Sequence, residues 1–179
     1  MHIGGGKMKI IIDPGHGGKD AGAVGEFSCE KDINLKLAKL IGFLLEYLGY
    51  KVKLTRDNDC LPIWAERVES SKEDLFISIH CNGAPNKSAQ GIETFYYVGS
   101  KQGRLLAQSI HRSLVKVTNS VDRLVKDNND LYVLKKTKCP AVLVEVGFIT
   151  NSYEEKLLNS ADYQLKIALA VVQGIEDKG

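Results

Sequence analysis

The chain has 179 residues, 44% of them hydrophobic and 26% charged, and its 24 basic and 22 acidic residues leave a net charge of +2. This composition is typical of one globular domain with its own core, and it excludes a disordered, a collagen-like or a disulfide-stapled chain. Because the sequence holds neither a polybasic run nor an apolar stretch of about 20 residues, we expect no nucleic-acid partner and no membrane span.

The first seven residues, Met1 to Lys7, are rich in glycine and lack the apolar centre of a secretory signal. We expect residues 1–7 to be an added or disordered tail and residues 8–179 to form a single domain. The four cysteines form no CxxC pair and match no structural zinc spacing, so we expect reduced, packed thiols. They are Cys29, Cys60, Cys81 and Cys139.

Hydrophobic periodicity predicts strands that alternate with helices along the chain. In the first half of the chain the predicted elements are a strand at 9–13, a glycine-dense loop at 16–22, a helix at 31–48, a strand at 51–55, a short helix at 63–70 and a strand at 75–79. In the second half they are a strand at 92–98, a helix carrying Leu106, Ile110, Leu114 and Val117, a polar loop, a strand at 141–146 and a closing helix at 162–176. This alternation predicts an α/β fold with a mainly parallel sheet flanked by helices on both faces.

Two histidines follow predicted strands directly. His16 lies three residues beyond Asp13, and His80 comes immediately after Ile79. Ligand sites of open α/β sheets form beyond the carboxyl ends of the strands, so both imidazoles are candidates for one shared site. For the other two histidines we expect no role, since His2 is in the tail and His111 is predicted at a solvated position in a helix.

Glu30 is the candidate for a third ligand, because it opens the long helix just after the glycine-dense loop. Its other interpretation is compensation of the helix dipole, since a carboxylate is stabilised at a helix N-terminus. Two histidines and a glutamate are nevertheless a known catalytic zinc set, completed by water. The sequence therefore points to a metal site formed by His16, Glu30 and His80.

Glu145 interrupts the apolar run Val142 to Phe148, where a carboxylate is costly unless it is paired or opens into a site. One interpretation makes it the buried partner of Arg56 or Arg67, two residues that we otherwise expect to brace the sheet rather than to anchor substrate. The other makes it a general base beside a zinc-bound water, whose pKa zinc lowers to about 7.

The glycine-dense loop allows a third chemistry, since a glycine turn between a strand and a helix can cradle phosphate. Residues 15–18 match neither GxGxxG nor GxxxxGK[ST], and the nearby histidine and glutamate suit a cation better than an anion. A phosphate-binding enzyme is therefore the weakest of the alternatives.

Four blocks of the sequence occur together in one order: residues 13–18 (DPGHGG), 30–32 (EKD), 78–82 (SIHCN) and 144–151 (VEVGFITN). With these blocks the chain resembles the zinc-dependent N-acetylmuramoyl-L-alanine amidases of the third amidase family over essentially residues 8–176. One departure is Cys81, which stands beside His80 where a small residue such as alanine is expected.

The resemblance implies hydrolysis of the amide between N-acetylmuramic acid and the L-alanine of the peptidoglycan stem peptide. It implies one Zn²⁺ per chain, with His16, Glu30 and His80 as ligands and Glu145 as the catalytic carboxylate. It also implies a six-stranded sheet and places residues 129–134 at the substrate groove.

The resemblance does not determine the domain organisation of the whole protein or the compartment in which it is made. Peptidoglycan is the expected partner. Two arrangements stay open: a catalytic domain whose wall-binding domain is separate or removed, and a naturally minimal enzyme. The chain carries no signal peptide, so we expect a lysin or autolysin made in the cytoplasm or one secreted from a longer precursor. Two other functions remain: a zinc peptidase that cuts within the stem peptide, and a non-catalytic module that binds peptidoglycan.

Overall fold

The computed structural model of the chain describes residues 8–69 and 74–178. The predicted tail at residues 1–7, His2 within it, and the last residue of the predicted helix 63–70 lie outside the described residues. None of the helices that are described is long and apolar enough to cross a bilayer.

The described residues form six strands and six helices. The strands are β1 (Lys9–Pro14), β2 (Lys51–Leu54), β3 (Leu75–Asn82), β4 (Ile92–Tyr97), β5 (Asp122–Asn128) and β6 (Ala141–Phe148). The helices are α1 (Glu30–Tyr47), α2 (Trp64–Glu69), α3 (Lys101–Thr118), α4 (Tyr132–Lys136), α5 (Ser152–Leu158) and α6 (Ala161–Glu176).

The strands form one sheet in the order β2-β1-β3-β6-β4-β5. β2, β1, β3 and β6 run parallel, whereas β4 is antiparallel to β6 and parallel to β5. The predicted α/β class and the mainly parallel, six-stranded sheet are thus confirmed. Because β1, β3 and β6 are adjacent and parallel, the residues that follow their carboxyl ends meet at one edge of the sheet.

Helices cover both faces of this sheet unequally. The larger core packs α1, α3 and α6 against one face, with buried residues such as Ile33, Ile110 and Ile167. On the other face the short helices α2 and α4 cover a small cluster that includes Phe76 and Leu143. The second face therefore has room for a cavity near the carboxyl ends of the central strands.

The predicted polar loop before β6 contains a strand and a helix, β5 and α4. β5 has the sequence DRLVKDN and lies at the edge of the sheet, with its residues half-buried or exposed. An edge strand pairs on one side only and tolerates charged side chains on both faces, so its sequence lacks the apolar pattern of a central strand. The helix α5, whose N-terminus is capped by the side chain of Asn151, was likewise not predicted.

His111 is buried, so the expectation of a solvated helix position is wrong. Its Nδ1 lies 3.0 Å from Thr94 Oγ1 and its Nε2 lies 2.8 Å from Asp122 Oδ1. The imidazole therefore ties α3 to β4 and β5. Cys81 is buried, as expected for a packed thiol, whereas Cys60 is exposed rather than packed.

A close crossing of α3 and α6 gives a test of the packing. A Cβ added at Gly174 would lie 2.4 Å from the Cα of Ile110, a backbone atom that cannot rotate away. We expect Gly174→Ala to lower the free energy of unfolding by about 1–3 kcal/mol, measured by urea unfolding, because overpacking outweighs the better helix propensity of alanine.

The matched control is Gly42→Ala in α1, where the added Cβ would meet only methyl groups of Leu54 and Val52 at 3.5 Å. That variant should keep or raise the stability of the protein, by up to about 1 kcal/mol. Equal effects of the two substitutions would contradict the close crossing.

Candidate active site

The loop after β1 brings His16 to the edge of the sheet. His16 has a φ of 61°, in the left-handed region that residues with a side chain rarely adopt and that often marks functional sites. Glycines make room around it: a Cβ at Gly15 would lie 2.2 Å from the His80 ring, and one at Gly22 would lie 2.5 Å from a carboxylate oxygen of Glu30. The glycine-dense loop thus allows the backbone, two rings and a carboxylate to approach closely.

Two buried arginines hold this loop in place. Arg56 donates through Nη2 to the carbonyl oxygen of Gly15 at 3.1 Å. Arg67 donates to the carbonyl oxygen of His16 at 2.7 Å and forms an ion pair with Asp13 at 2.6 Å. The expected bracing role of both arginines agrees with these contacts, and neither guanidinium is the partner of the carboxylate in β6.

His16, Glu30 and His80 come together as predicted. Glu30 Oε2 lies 3.2 Å from His16 Nε2, and Glu30 Oε1 lies 2.9 Å from His80 Nδ1. The two rings meet edge to face with centroids 5.0 Å apart. One ligand atom from each of the three residues lies within 4.8 Å of the others, so this cluster could hold a metal ion.

Further contacts orient these three side chains. Asp20 Oδ2 lies 2.9 Å from Nδ1 of His16, as expected for a carboxylate behind a metal-ligating histidine. Asn34 donates to Glu30 at 3.1 Å from one helical turn further along α1, and the N–H of Cys81 donates to Glu30 at 3.0 Å. Sequence reasoning missed Asp20 and Asn34, although both lie four residues from a predicted ligand.

The charges of the cluster are strongly coupled. Burial alone would raise the pKa of Glu30, but hydrogen bonds from His16 and His80 hold it far below its usual range. Burial alone would lower the pKa of His16, yet the bonds to Glu30 and Asp20 raise it to about 9. The buried carboxylate is thus ionised and attracts positive charge, which two protonated imidazoles or one divalent cation can supply.

Two imidazoles and one carboxylate are a donor set that fits Zn²⁺, whose catalytic sites use three protein ligands and leave one position open. Glu30 directs its carboxylate into this cluster, where it accepts bonds from the loop after β1, from β3 and from the next turn of α1. Dipole compensation alone does not account for that placement. Cys81 is not part of the cluster, and burial raises the pKa of its thiol well above the ordinary value.

Glu145 in β6 pairs in register with His80 in β3. Burial raises the pKa of its carboxyl group to about 7, even though His80 pulls it down. Its Oε2 is buried and has no hydrogen-bond partner in the part of the chain that is described. A carboxyl group that has a pKa near neutral pH and one oxygen available for a new hydrogen bond is suited to accept and return a proton.

A cavity of about 430 Å³ joins these groups. His16, His80 and Glu145 line it together with residues 130–133. The segment that the resemblance places at the substrate groove therefore shares a cavity with the three site residues. A hollow of about 540 Å³ between α3 and β5 is larger but lies away from them.

Three of the four N–H groups of residues 15–18 are bonded within the protein. The N–H of Gly15 donates to the carbonyl oxygen of Ile79, that of Gly17 to the carbonyl oxygen of Asp20, and that of Gly18 to the carboxylate of Asp59. Because these donors are already bonded within the protein, the structure argues against the phosphate-binding alternative.

A histidine–glutamate–histidine cluster beside a second carboxylate, at the carboxyl edge of an α/β sheet, is typical of metal-dependent hydrolases. Residues 10–177 match the family described as N-acetylmuramoyl-L-alanine amidase, and the chain belongs to that family. It is accordingly a hydrolase of peptidoglycan amide bonds, as its resemblance implied.

Relatives and solved structures agree with this assignment. The uncharacterized protein YqiI of Bacillus subtilis is 41% identical over 93% of this chain and 82% of its own length. The amidase LytC of the same organism is 40% identical over 92% of this chain, which spans 34% of LytC. The structure of the CwlD amidase from Clostridioides difficile, solved in complex with the GerS lipoprotein, has a TM-score of 0.92 at 34% identity and covers 96% of this chain and 98% of CwlD.

The segment that leads into Glu30 is anchored by Glu155 of α5, a fully buried carboxylate. Glu155 accepts hydrogen bonds from the N–H groups of Glu26, Phe27 and Ser28 and from the Ser28 hydroxyl, at 2.7–3.0 Å. Burial alone would raise the pKa of Glu155, but these donors outweigh burial and hold it below 4.5. The ionised group therefore stabilises the fold above pH 4.5, and this stabilisation is lost as the pH falls through the lowered pKa.

We expect Glu155→Gln to lower the free energy of unfolding by about 2–4 kcal/mol at neutral pH, since an amide cannot accept all four bonds. The difference from the wild type should narrow as the pH falls below 4.5, in urea unfolding at a series of pH values. Glu26→Gln, at an exposed neighbouring side chain, is the control and should change little. A difference that does not depend on pH would contradict the role of the charge.

Proposed function

We propose that this chain is a zinc-dependent N-acetylmuramoyl-L-alanine amidase that uses Glu145 as its general base. The observation that carries the proposal is the position of Glu145 in one cavity with His16 and His80. The donor chemistry of His16, Glu30 and His80 supports one zinc ion per chain, bound at these three residues.

Zinc, when bound, supplies a Lewis acid for the scissile carbonyl and lowers the pKa of a water ligand to about 7. Glu145 takes the proton of the attacking water through its free oxygen and returns it to the departing nitrogen of L-alanine. Asp20 keeps the ring of His16 oriented, and Asn34 and the N–H of Cys81 keep the carboxylate of Glu30 in place. The reaction proceeds without a covalent bond between the enzyme and its substrate.

Removal of the metal tests the cofactor and the bond together. We expect the chelated protein to release nothing from purified peptidoglycan, and the zinc-restored protein to release peptides that begin with L-alanine, detected by mass spectrometry of the digest. Release at a bond within the stem peptide would favour the peptidase, and binding to the wall without release would favour the non-catalytic module. Activity that survives complete chelation would contradict the zinc site.

Substitution of Glu145 tests the general base. We expect Glu145→Gln to lower kcat by about 100-fold to 10,000-fold, because an amide cannot take the proton of water. Zinc content, measured by elemental analysis, should stay at that of the wild type, since Glu145 is not a ligand. Glu46→Gln, on the exposed face of α1, is the matched control and should keep full activity. Near-full activity of Glu145→Gln with zinc bound would exclude the proposed role.

A further inference from the structure

Side chains of four adjacent strands form one row that starts at the candidate active site. His80 in β3 pairs with Glu145 in β6, and Glu145 pairs with Glu93 in β4. Residues directly opposite each other in antiparallel strands share a face of the sheet, so Glu93 stands beside Glu145 on the face that carries the cavity. Arg123 in β5 continues the row, bonded to Glu93 through Nε at 3.2 Å. The row leaves the metal cluster and runs towards the edge of the sheet.

Glu93 holds two cations at the far end of this row. Its buried carboxylate accepts bonds from Arg123, from the Lys126 ammonium group and from Asn82 Nδ2, the last at 2.7 Å. The guanidinium of Arg123 also stacks on the ring of Phe148, 4.8 Å from its centroid. One carboxylate thus holds two cations side by side.

Both cations reach solvent while their anchor does not. The side chains of Arg123 and Lys126 are 37% and 42% exposed, against 7% for that of Glu93. Arg123 bonds to Glu93 through Nε, and among the described residues its two terminal nitrogens have no acceptor, so they can bind another one. A planar guanidinium beside an ammonium group is suited to bind a carboxylate.

A β-bulge directs Arg123 towards this position. Ile92 pairs with Asp122 and Thr94 pairs with Val125, so that two residues of β5, Arg123 and Leu124, oppose the single residue Glu93. Leu124 adopts a φ of 74°, a strained conformation for a leucine. Bulges of this kind re-aim a side chain and are common next to active sites.

The bulge is fixed from the other face of the sheet by the buried imidazole of His111. Asp122 Oδ1 accepts a hydrogen bond from the N–H of Leu124 at 2.8 Å and lies 2.8 Å from His111 Nε2. His111 and Asp122 are therefore positioning residues for Arg123. Nothing in the proposed chemistry at Glu145 requires this arrangement.

On the basis of the proposed amidase function, we propose that Arg123 and Lys126 form a subsite for a free carboxylate of the stem peptide. N-acetylated sugars carry no charge, whereas stem peptides carry an acidic residue after L-alanine, so a pair of cations suits the peptide side of the scissile bond. The guanidinium of Arg123 bonds to Glu93 in β4, the neighbour of β6, and adjacent strands lie about 5 Å apart. Two residues of an extended peptide span about 7 Å, so a carboxylate on the second peptide residue comes within reach of the guanidinium.

The experiment compares two soluble muramoyl tripeptides that differ in one group. In the first the α-carboxylate of the acidic second residue is free, and in the second it is a carboxamide. We expect the zinc-loaded wild type to cleave the first with a kcat/KM about tenfold higher, because a charge-assisted hydrogen bond is lost with the second. The difference should lie mainly in KM, since the subsite is remote from the reacting atoms.

Substitutions of Arg123 and Lys126 test whether these two cations cause the preference for the free acid. Arg123→Ala and Lys126→Ala should each raise KM for the free acid about tenfold and leave KM for the amide unchanged. Arg123→Lys keeps the charge and the ion pair with Glu93, so it should restore part of the preference. Arg104→Ala, at an exposed position of α3, is the control and should change neither KM.

The outcomes separate this inference from the function on which it rests. Cleavage of both substrates by the wild type without a preference, or equal effects of the variants on both substrates, would overturn the subsite alone. Cleavage of neither substrate by the zinc-loaded wild type would overturn the amidase proposal, and the subsite with it. Thermal unfolding of each variant shows whether a raised KM comes from a damaged fold.

Discussion

The carboxylate of Glu30 is the group around which the site is organised. It is almost fully buried, and a buried charge is costly unless it is paired and hydrogen-bonded. The structure meets this requirement with donors from the loop after β1, from the next turn of α1 and from the carboxyl end of β3. Loop, helix and strand therefore have to converge on one point for the carboxylate to be tolerated.

This convergence explains why so many polar side chains are buried near the carboxyl edge of the sheet. Arg56 and Arg67 hold the carbonyl groups of the loop, and Asp13 balances the charge of Arg67. Glu155 holds the segment before Glu30. The loop is irregular in conformation, but its backbone is fixed by charged groups at both ends, so that it can present His16 in a strained conformation.

Much of the fold could be predicted from the sequence because the central strands are buried on both faces. Continuous apolar runs such as Ile10 to Ile12 and Val142 to Val144 are the direct consequence. β5 was not predicted because an edge strand needs no such run. The burial of His111 was not predicted because its polar partners, Thr94 and Asp122, lie on the strands β4 and β5 rather than on its own helix. Their proximity depends on tertiary packing, which periodicity does not contain.

The site residues also divide into those that could be predicted from the sequence and those that could not. His16 and His80 could be predicted from their place after strands, and Glu145 from its charge in an apolar run. Arg123 carries no such signal, since its direction depends on a bulge of the backbone and on a neighbour in β4. Sequence reasoning thus finds residues whose own local context is unusual, and it misses those whose role comes from the strand beside them.

The position of β6 has a consequence for the order in which the protein can assemble. It lies between β3 and β4 although it is the last strand in the chain, so the strand groups β2-β1-β3 and β4-β5 are joined only when it enters the sheet. Such non-local pairing makes folding slow compared with that of a helical bundle. The three clustered residues all precede β6, but the carboxylate beside them arrives on it. A nascent chain can therefore gather His16, Glu30 and His80 before Glu145 joins them, and the complete cluster first exists when the sheet is closed.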